Sequence, residues 1–239
     1  MEAERNKMSG IFYDCTLNGV PILSNHAIDM DAVYLLKNYN PDLLKAPGIL
    51  DVDDFAEFYL NLRLYITHLS HCGYILGRMV FEDTDAIPVY DMEEHAASLI
   101  HVPGNTLMID ASITYKEHLY RSTVMHECGH FRYHRFYFTN PYNQFQTACR
   151  TIDDAAPSRK KVLVSDADWL EHQAQYFAGA ILMPYPVMMK LPLMVDVRNL
   201  MMRCRTEGYF KRELSRYVSR KFGVSYASAR IRLEQLGIV

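Results

Sequence analysis

The strongest constraint on this chain is the stretch from Tyr115 to Phe136, which has no glycine or proline apart from Gly129 and carries His126, Glu127 and His130 in its middle. A run of that length without breakers predicts a long helix. On a helix, positions i and i+4 share a face and lie about 6 Å apart along the axis, so the imidazoles of His126 and His130 can converge on one ion. Glu127 sits beside them, where a carboxylate can take a proton from a water at that ion. A glycine in a helix interior costs about 1 kcal/mol relative to alanine, so Gly129 points to another backbone packed closely against this turn.

A catalytic zinc site has three protein ligands and one open position, and three residues are candidates for the third ligand. His134 follows His130 by four residues, but on a straight helix its Cα lies about 12 Å along the axis from that of His126, too far for three rings to meet. Cys128 is two residues from each histidine and faces away from the side they share. Glu171 belongs to a second helical stretch, Asp166 to Met183, that Ser165 and Asp168 cap and Pro184 ends. Ala174 and Ala178 lie on its side of that helix, and small residues there let two helices approach until a carboxylate reaches the ion. The metzincin pattern, with glycine and histidine three and six residues after the second histidine, is excluded by Tyr133 and Phe136.

The segments HECGHFRYH (His126 to His134) and EHQAQYFAGAILMP (Glu171 to Pro184) resemble the paired motifs of the ImmA/IrrE family of metallo-endopeptidases, HExGH followed by ExxAN-x-FA-x-x-LLMP. A weaker similarity runs upstream through Ile87 to Asp110 and downstream through Phe222 to Gly237; the first 70 residues carry no matching motif. The resemblance implies an α+β, zincin-like fold, with zinc bound by His126, His130 and Glu171 and Glu127 as general base. It also implies a protein substrate, a helix-turn-helix repressor of the kind found on mobile genetic elements. Gln175 stands where that family has Asn or Asp, a position behind the ligands that can orient a histidine. For the oxyanion, Tyr133, His134, Tyr142 and Tyr176 are candidate donors, and spacing does not choose among them.

The remainder of the chain predicts a small, mostly antiparallel sheet from Tyr74–Phe81, Ile87–Tyr90 and Thr106–Ile109, after two helices over Ala27–Asn38 and Asp51–Leu69. Asn140 to Ser165 is long for a connection, and Arg159, Lys160 and Lys161 lie within it. Residues 1–25 have no assigned function. The expected domains are a metallopeptidase-like body with a helical N-terminal part, 1–192, and a basic helical tail, 193–239. The 239 residues include 49% hydrophobic and 22% charged, the make-up of a folded chain. Five cysteines, odd in number and without a CxxC pair, support neither a disulfide framework nor a four-cysteine zinc site and fit a reducing cytoplasm. The N-terminus lacks a signal peptide, and the longest apolar stretch, Tyr176 to Met189, is broken by Pro184 and Pro186, so neither secretion nor a membrane span is expected.

The net charge of −3 hides an asymmetry: from Arg203 onward there are nine basic and three acidic residues, leaving +6 there and −9 on the preceding 202. Phe222-Gly223-Val224-Ser225 between two helical segments looks like the turn of a helix-turn-helix, and basic residues around it could meet DNA phosphates. The simpler reading packs these helices with Leu214, Val218, Ile231 and Leu233 inward and their charges in water. An alternative function follows from the tail: a DNA- or partner-binding regulator with a non-catalytic metal site.

Overall fold

The computed structural model describes residues 13–142, 147–155 and 163–239. These form two compact units, one of residues up to Asn25 with Asp51–Ala178, the other of His26–Leu50 with Gly179–Val239. The class is mixed α+β with small sheets.

In the first unit a short helix α2 (Val52–Asp54) continues as one π-helical turn, Phe55–Tyr59, and gives way to strand β1 (Arg63–Thr67). The expected helix over Asp51–Leu69 therefore stops early. Phe58, Leu62 and Ile66 are four residues apart, a spacing that is also a multiple of two and so fits a strand as well as a helix. Asn61, at φ 56°, turns the chain between the two elements, and Phe58, which the helical spacing would put on the buried side, is 80% exposed.

Strands β2 (Ile75–Val80) and β5 (Thr106–Asp110) form the middle of a four-stranded sheet that β6 (Thr147–Thr151) completes in the order β1-β5-β2-β6, in which only the β1–β5 pairing is parallel. Every residue of β5 is buried, as a strand covered on both faces requires. Strands β3 (Thr84–Asp91) and β4 (Ala96–Val102) form a separate antiparallel hairpin. Ile87, Val89 and Val102 from the hairpin share a core with Val80 and Met108 from the sheet. The edge strand β6 (Thr147–Thr151), followed by the single helical turn α5 (Ile152–Ala155), lies inside the stretch expected to be one long loop. Its alternation places Ala148 and Arg150 on the buried side, and an arginine at a buried position conceals the strand pattern. The basic run Arg159–Lys161 lies outside the described residues.

Helix α3 (Glu117–Tyr133) packs on β2, β5 and β6, and every residue from Thr123 to His130 is buried. A helix covered on all sides is central to its unit. The short helix α4 (Arg135–Phe138) follows it, and α6 (Asp166–Leu182) runs alongside. Ser165 and Asp168 form the expected capping box: the Asp168 amide donates to Ser165 Oγ at 3.1 Å, and the Ser165 amide to Asp168 Oδ2 at 2.9 Å.

The second unit contains α1 (Asn25–Tyr39) from His26 onward, with α7 (Tyr185–Lys190), α8 (Val195–Arg203), α9 (Glu207–Phe222) and α10 (Tyr226–Gln235). Leu214, Val218 and Leu233 are buried, and Ile231 is partly so. The guanidinium of Arg232, also buried, pairs with Asp29 of α1 and donates from Nε to the Met183 carbonyl at 3.2 Å. Gly223, at φ 63°, ends α9 in a left-handed cap, and Ser225 Oγ caps α10 by accepting from the Ser228 amide at 3.0 Å.

The approach of α3 to α6 is set at Gly129, where a β-carbon would lie 3.0 Å from Cα of Ala174 and 3.2 Å from its carbonyl oxygen. Backbone cannot yield as a side-chain tip can. Gly129→Val should therefore destabilise the protein by about 2–4 kcal/mol, outweighing any gain in helix propensity, as measured by urea unfolding of the two proteins.

Candidate metal centre

His126 and His130 project from one face of α3, and Glu171 meets them from α6. His126 Nε2 lies 3.0 Å from His130 Nε2, and the two carboxylate oxygens of Glu171 lie 3.1 Å from His126 Nε2 and 3.2 Å from His130 Nε2. Ligand bonds of about 2.0–2.2 Å in a tetrahedral shell put donor atoms about 3.3–3.6 Å apart, so the trio is within a few tenths of an ångström of that shape. The imidazoles are at most 1% exposed; the Glu171 side chain is 29% exposed, although its Oε2 is itself shielded from solvent. This buried group can hold a metal ion.

The electrostatics follow from that burial. Burial holds His126 down, to about 4, despite the opposing pull of Glu171. For His130 burial acts in the same direction, but the carboxylates of Glu171 and Glu127 outweigh it and the net shift is upward. Glu171 resists burial because the two imidazoles hold it well below the usual carboxylate range. These opposed shifts leave one histidine neutral and one carboxylate ionised, the states in which they bind a cation.

Glu127 is fully buried, and both of its carboxylate oxygens lack a hydrogen-bond partner among the described residues. Burial raises it from 4.5 to about 7, in spite of His130. It lies against β2 at Gly77, where a β-carbon would come within 2.9 Å of Oε1 and 2.7 Å of Thr123 Cγ2. The glycine is what gives this carboxylate its space. A carboxyl group poised near neutrality and unpartnered beside a trio that can hold a metal ion has the properties of a general acid and base.

Cys128 is fully buried and outside the trio, and burial holds its thiol well above the usual range. His134 is also outside it, because both of its ring nitrogens are engaged elsewhere: Nδ1 lies 2.9 Å from His130 Nδ1, and Nε2 lies 3.0 Å from Gln173 Oε1. Burial, followed by the neighbouring His130, lowers His134 well below its ordinary value and keeps it neutral. His172 faces Asn25 at 3.0 Å. Of the candidate oxyanion donors, Tyr133 and Tyr176 are buried and Tyr142 is 92% exposed.

Two parts of the centre were not recognised in the sequence. Arg150 is buried on β6, where it donates to the carbonyl of Ser122 and, at 3.3 Å, to Oε1 of Gln175. Gln175 thus meets an arginine, and it is Gln173, two residues earlier, that reaches a histidine, His134. The second is residues 13–25: Gln173 Nε2 donates to the Pro21 carbonyl at 2.7 Å. Neither a buried arginine on an edge strand nor a backbone carbonyl in a turn leaves a spacing signal. No protein-family model and no curated protein compared with this chain matches it.

The state of Glu127 has a measurable consequence in the metal-free protein. Its folded value, about 7, is above the ordinary 4.5, so folding is favoured by its protonation below pH 4.5 and that contribution is lost as the pH rises to about 7. Glu127→Gln keeps the shape and removes the ionisation. In chelator-treated protein the variant should gain stability over the wild type as the pH goes from 5 to 8, by at most about 3 kcal/mol. Urea unfolding at a series of pH values gives this difference directly, and a gap that does not change with pH would refute it.

Proposed function

We propose that this chain is a zinc-dependent endopeptidase. The observation that carries the reading is the placement of Glu127, buried, unpartnered and raised to about 7, beside the converging ligand atoms of His126, His130 and Glu171. Two imidazoles, one carboxylate and a tetrahedral separation suit zinc over the oxygen-seeking cations. Zinc at such a site supplies a Lewis acid that brings the pKa of water toward about 7 and polarises a carbonyl oxygen. Glu127 accepts the proton of the attacking water and returns it to the leaving amine, and a group with a value near 7 suits both steps. Gly77 and the close contact of α3 with α6 keep its carboxylate in place.

The resemblance of HECGHFRYH and EHQAQYFAGAILMP to the ImmA/IrrE motifs supports a zincin-like fold and a cytoplasmic protein substrate, a helix-turn-helix repressor. The absence, among the described residues, of a helix long and apolar enough to cross a membrane is compatible with such a substrate. The alternative, a DNA- or partner-binding regulator with a non-catalytic metal, rests on α9, the Gly223 turn and α10. Much of the charge there is already engaged: Arg232 is buried on Asp29, Lys211 pairs with Glu234 at 2.9 Å, and Arg216 pairs with Glu213.

Metal analysis of the purified full chain, together with cleavage of candidate repressors encoded nearby, tests the proposal. The wild type should carry about one zinc per chain. Glu127→Gln should retain zinc and lose at least about 100-fold in cleavage rate, whereas Glu171→Ala should lose zinc. Full cleavage by Glu127→Gln would overturn the mechanism. Zinc without cleavage, combined with salt-dependent DNA binding by the full chain, would favour the alternative.

A further inference from the structure

We propose that Pro21, Gln173 and His134 form a directional hydrogen-bond chain that places a proton of His130 on Nδ1, so that the neutral ring presents a bare Nε2 toward Glu171 and His126. The proposal rests on the reading of His126, His130 and Glu171 as metal ligands.

The direction is determined from the far end. The Pro21 carbonyl can only accept, so the group 2.7 Å from it must be the amide nitrogen of Gln173. That choice turns Oε1 of Gln173 toward His134 Nε2, 3.0 Å away. An amide oxygen also only accepts, so His134 must carry its proton on Nε2. A neutral imidazole has one N–H, which leaves Nδ1 of His134 as an acceptor. Its neighbour at 2.9 Å is His130 Nδ1, which must then be the donor. Each link permits one arrangement, and the sequence of links means that a neutral His130 keeps its lone pair on Nε2, the nitrogen that lies 3.2 Å from Glu171 Oε1.

The chain is enclosed and anchored. His130, His134 and Gln173 are at most 1% exposed, so water does not compete for these bonds. Pro21 is held by its bridge to Cys15, in which the Ile22 amide donates to the Asp14 carbonyl at 2.8 Å and the Thr16 amide to the Val20 carbonyl at 2.8 Å. Asn18 ties the same turn to α6 by donating to Asp166 at 2.8 Å. His126, by contrast, has no such support, since its Nδ1 lacks a partner among the described residues. The two histidines thus differ: one has a relay of three residues behind its ring, and the other has no hydrogen bond at Nδ1 among the described residues. His134 and Gln173 are positioning residues, acting through His130.

The test has two readouts on the full chain. Nitrogen-15 spectra of the histidine rings in metal-free protein should show His134 protonated on Nε2 only and His130 carrying a proton on Nδ1. A His134 protonated on Nδ1 would overturn the proposal without any variant. Competition with a chromophoric chelator, using zinc alone, gives the second readout. Gln173→Leu and His134→Phe should bind zinc about 10–100-fold more weakly, with Gln173→Met as a near-isosteric variant where either fails to fold. His172→Ala, one position along the same helix, should bind as the wild type does. Wild-type affinity in a folded Gln173→Leu or Gln173→Met protein would overturn the proposal. If the wild type binds no zinc, the metal-site reading fails, and the ring spectra still decide the direction of the chain.

Discussion

The contact between α3 and α6 at Gly129 and Ala174 is the constraint on which the rest of the centre depends. Ligands on one helix can supply two imidazoles, but a third donor has to come from elsewhere, and a glutamate side chain is short. The missing β-carbon at Gly129 lets the backbone of α6 come within van der Waals distance. Only at that separation do the oxygens of Glu171 lie 3.1 and 3.2 Å from the two histidines. The same contact brings Gln173 to His134, so the trio and its supporting hydrogen bonds share one cause. A side chain at position 129 would disturb both together.

The second constraint is the cost of burying ionisable groups. Thr123 to His130 are all buried, and among them are two imidazoles and a carboxyl group. Such groups are ordinarily excluded from an interior unless they are paired. The interactions within the centre sort them: Glu171 stays ionised against the imidazoles, His134 stays neutral, and Glu127 is left without a partner. A carboxyl group in that position lowers stability at neutral pH. This is the physical content behind treating a perturbed group as a functional one.

The sequence made the centre more legible than the fold around it. His126, Glu127 and His130 could be found because helical periodicity turns a spacing of four into a shared face, and Glu171 because Ala174 and Ala178 mark a close helix contact. Ser165 and Asp168 announced the start of α6 by their own chemistry. By contrast, Phe58, Leu62 and Ile66 fit two periods equally, and the left-handed Asn61 separates a helical turn that holds Phe58 from a strand that holds Ile66. Strand β6 was concealed because its inward positions are Ala148 and Arg150, a small residue and a charge, where an apolar pair would have revealed it. Pro21 was beyond reach, since it contributes a main-chain carbonyl and any residue type has one.

Arg150 shows how the tertiary fold answers a problem that the helices create. Glu127 and Glu171 place two carboxylates in one region, and a buried guanidinium supplies the opposite charge. A direct ion pair would relieve the cost most fully but would also occupy the oxygens of Glu127. Instead Arg150 donates to the Ser122 carbonyl on α3 and to Gln175 on α6, so it is tied to both helices. From there it eases the ionisation of Glu127, while both oxygens of that carboxylate remain unpartnered. Burial still outweighs it, and Glu127 settles at about 7. The guanidinium itself is held down to about 10 by the same burial, which leaves it charged at neutral pH. An edge strand that seems peripheral in the sheet thus sets the charge balance in which Glu127 can exchange a proton.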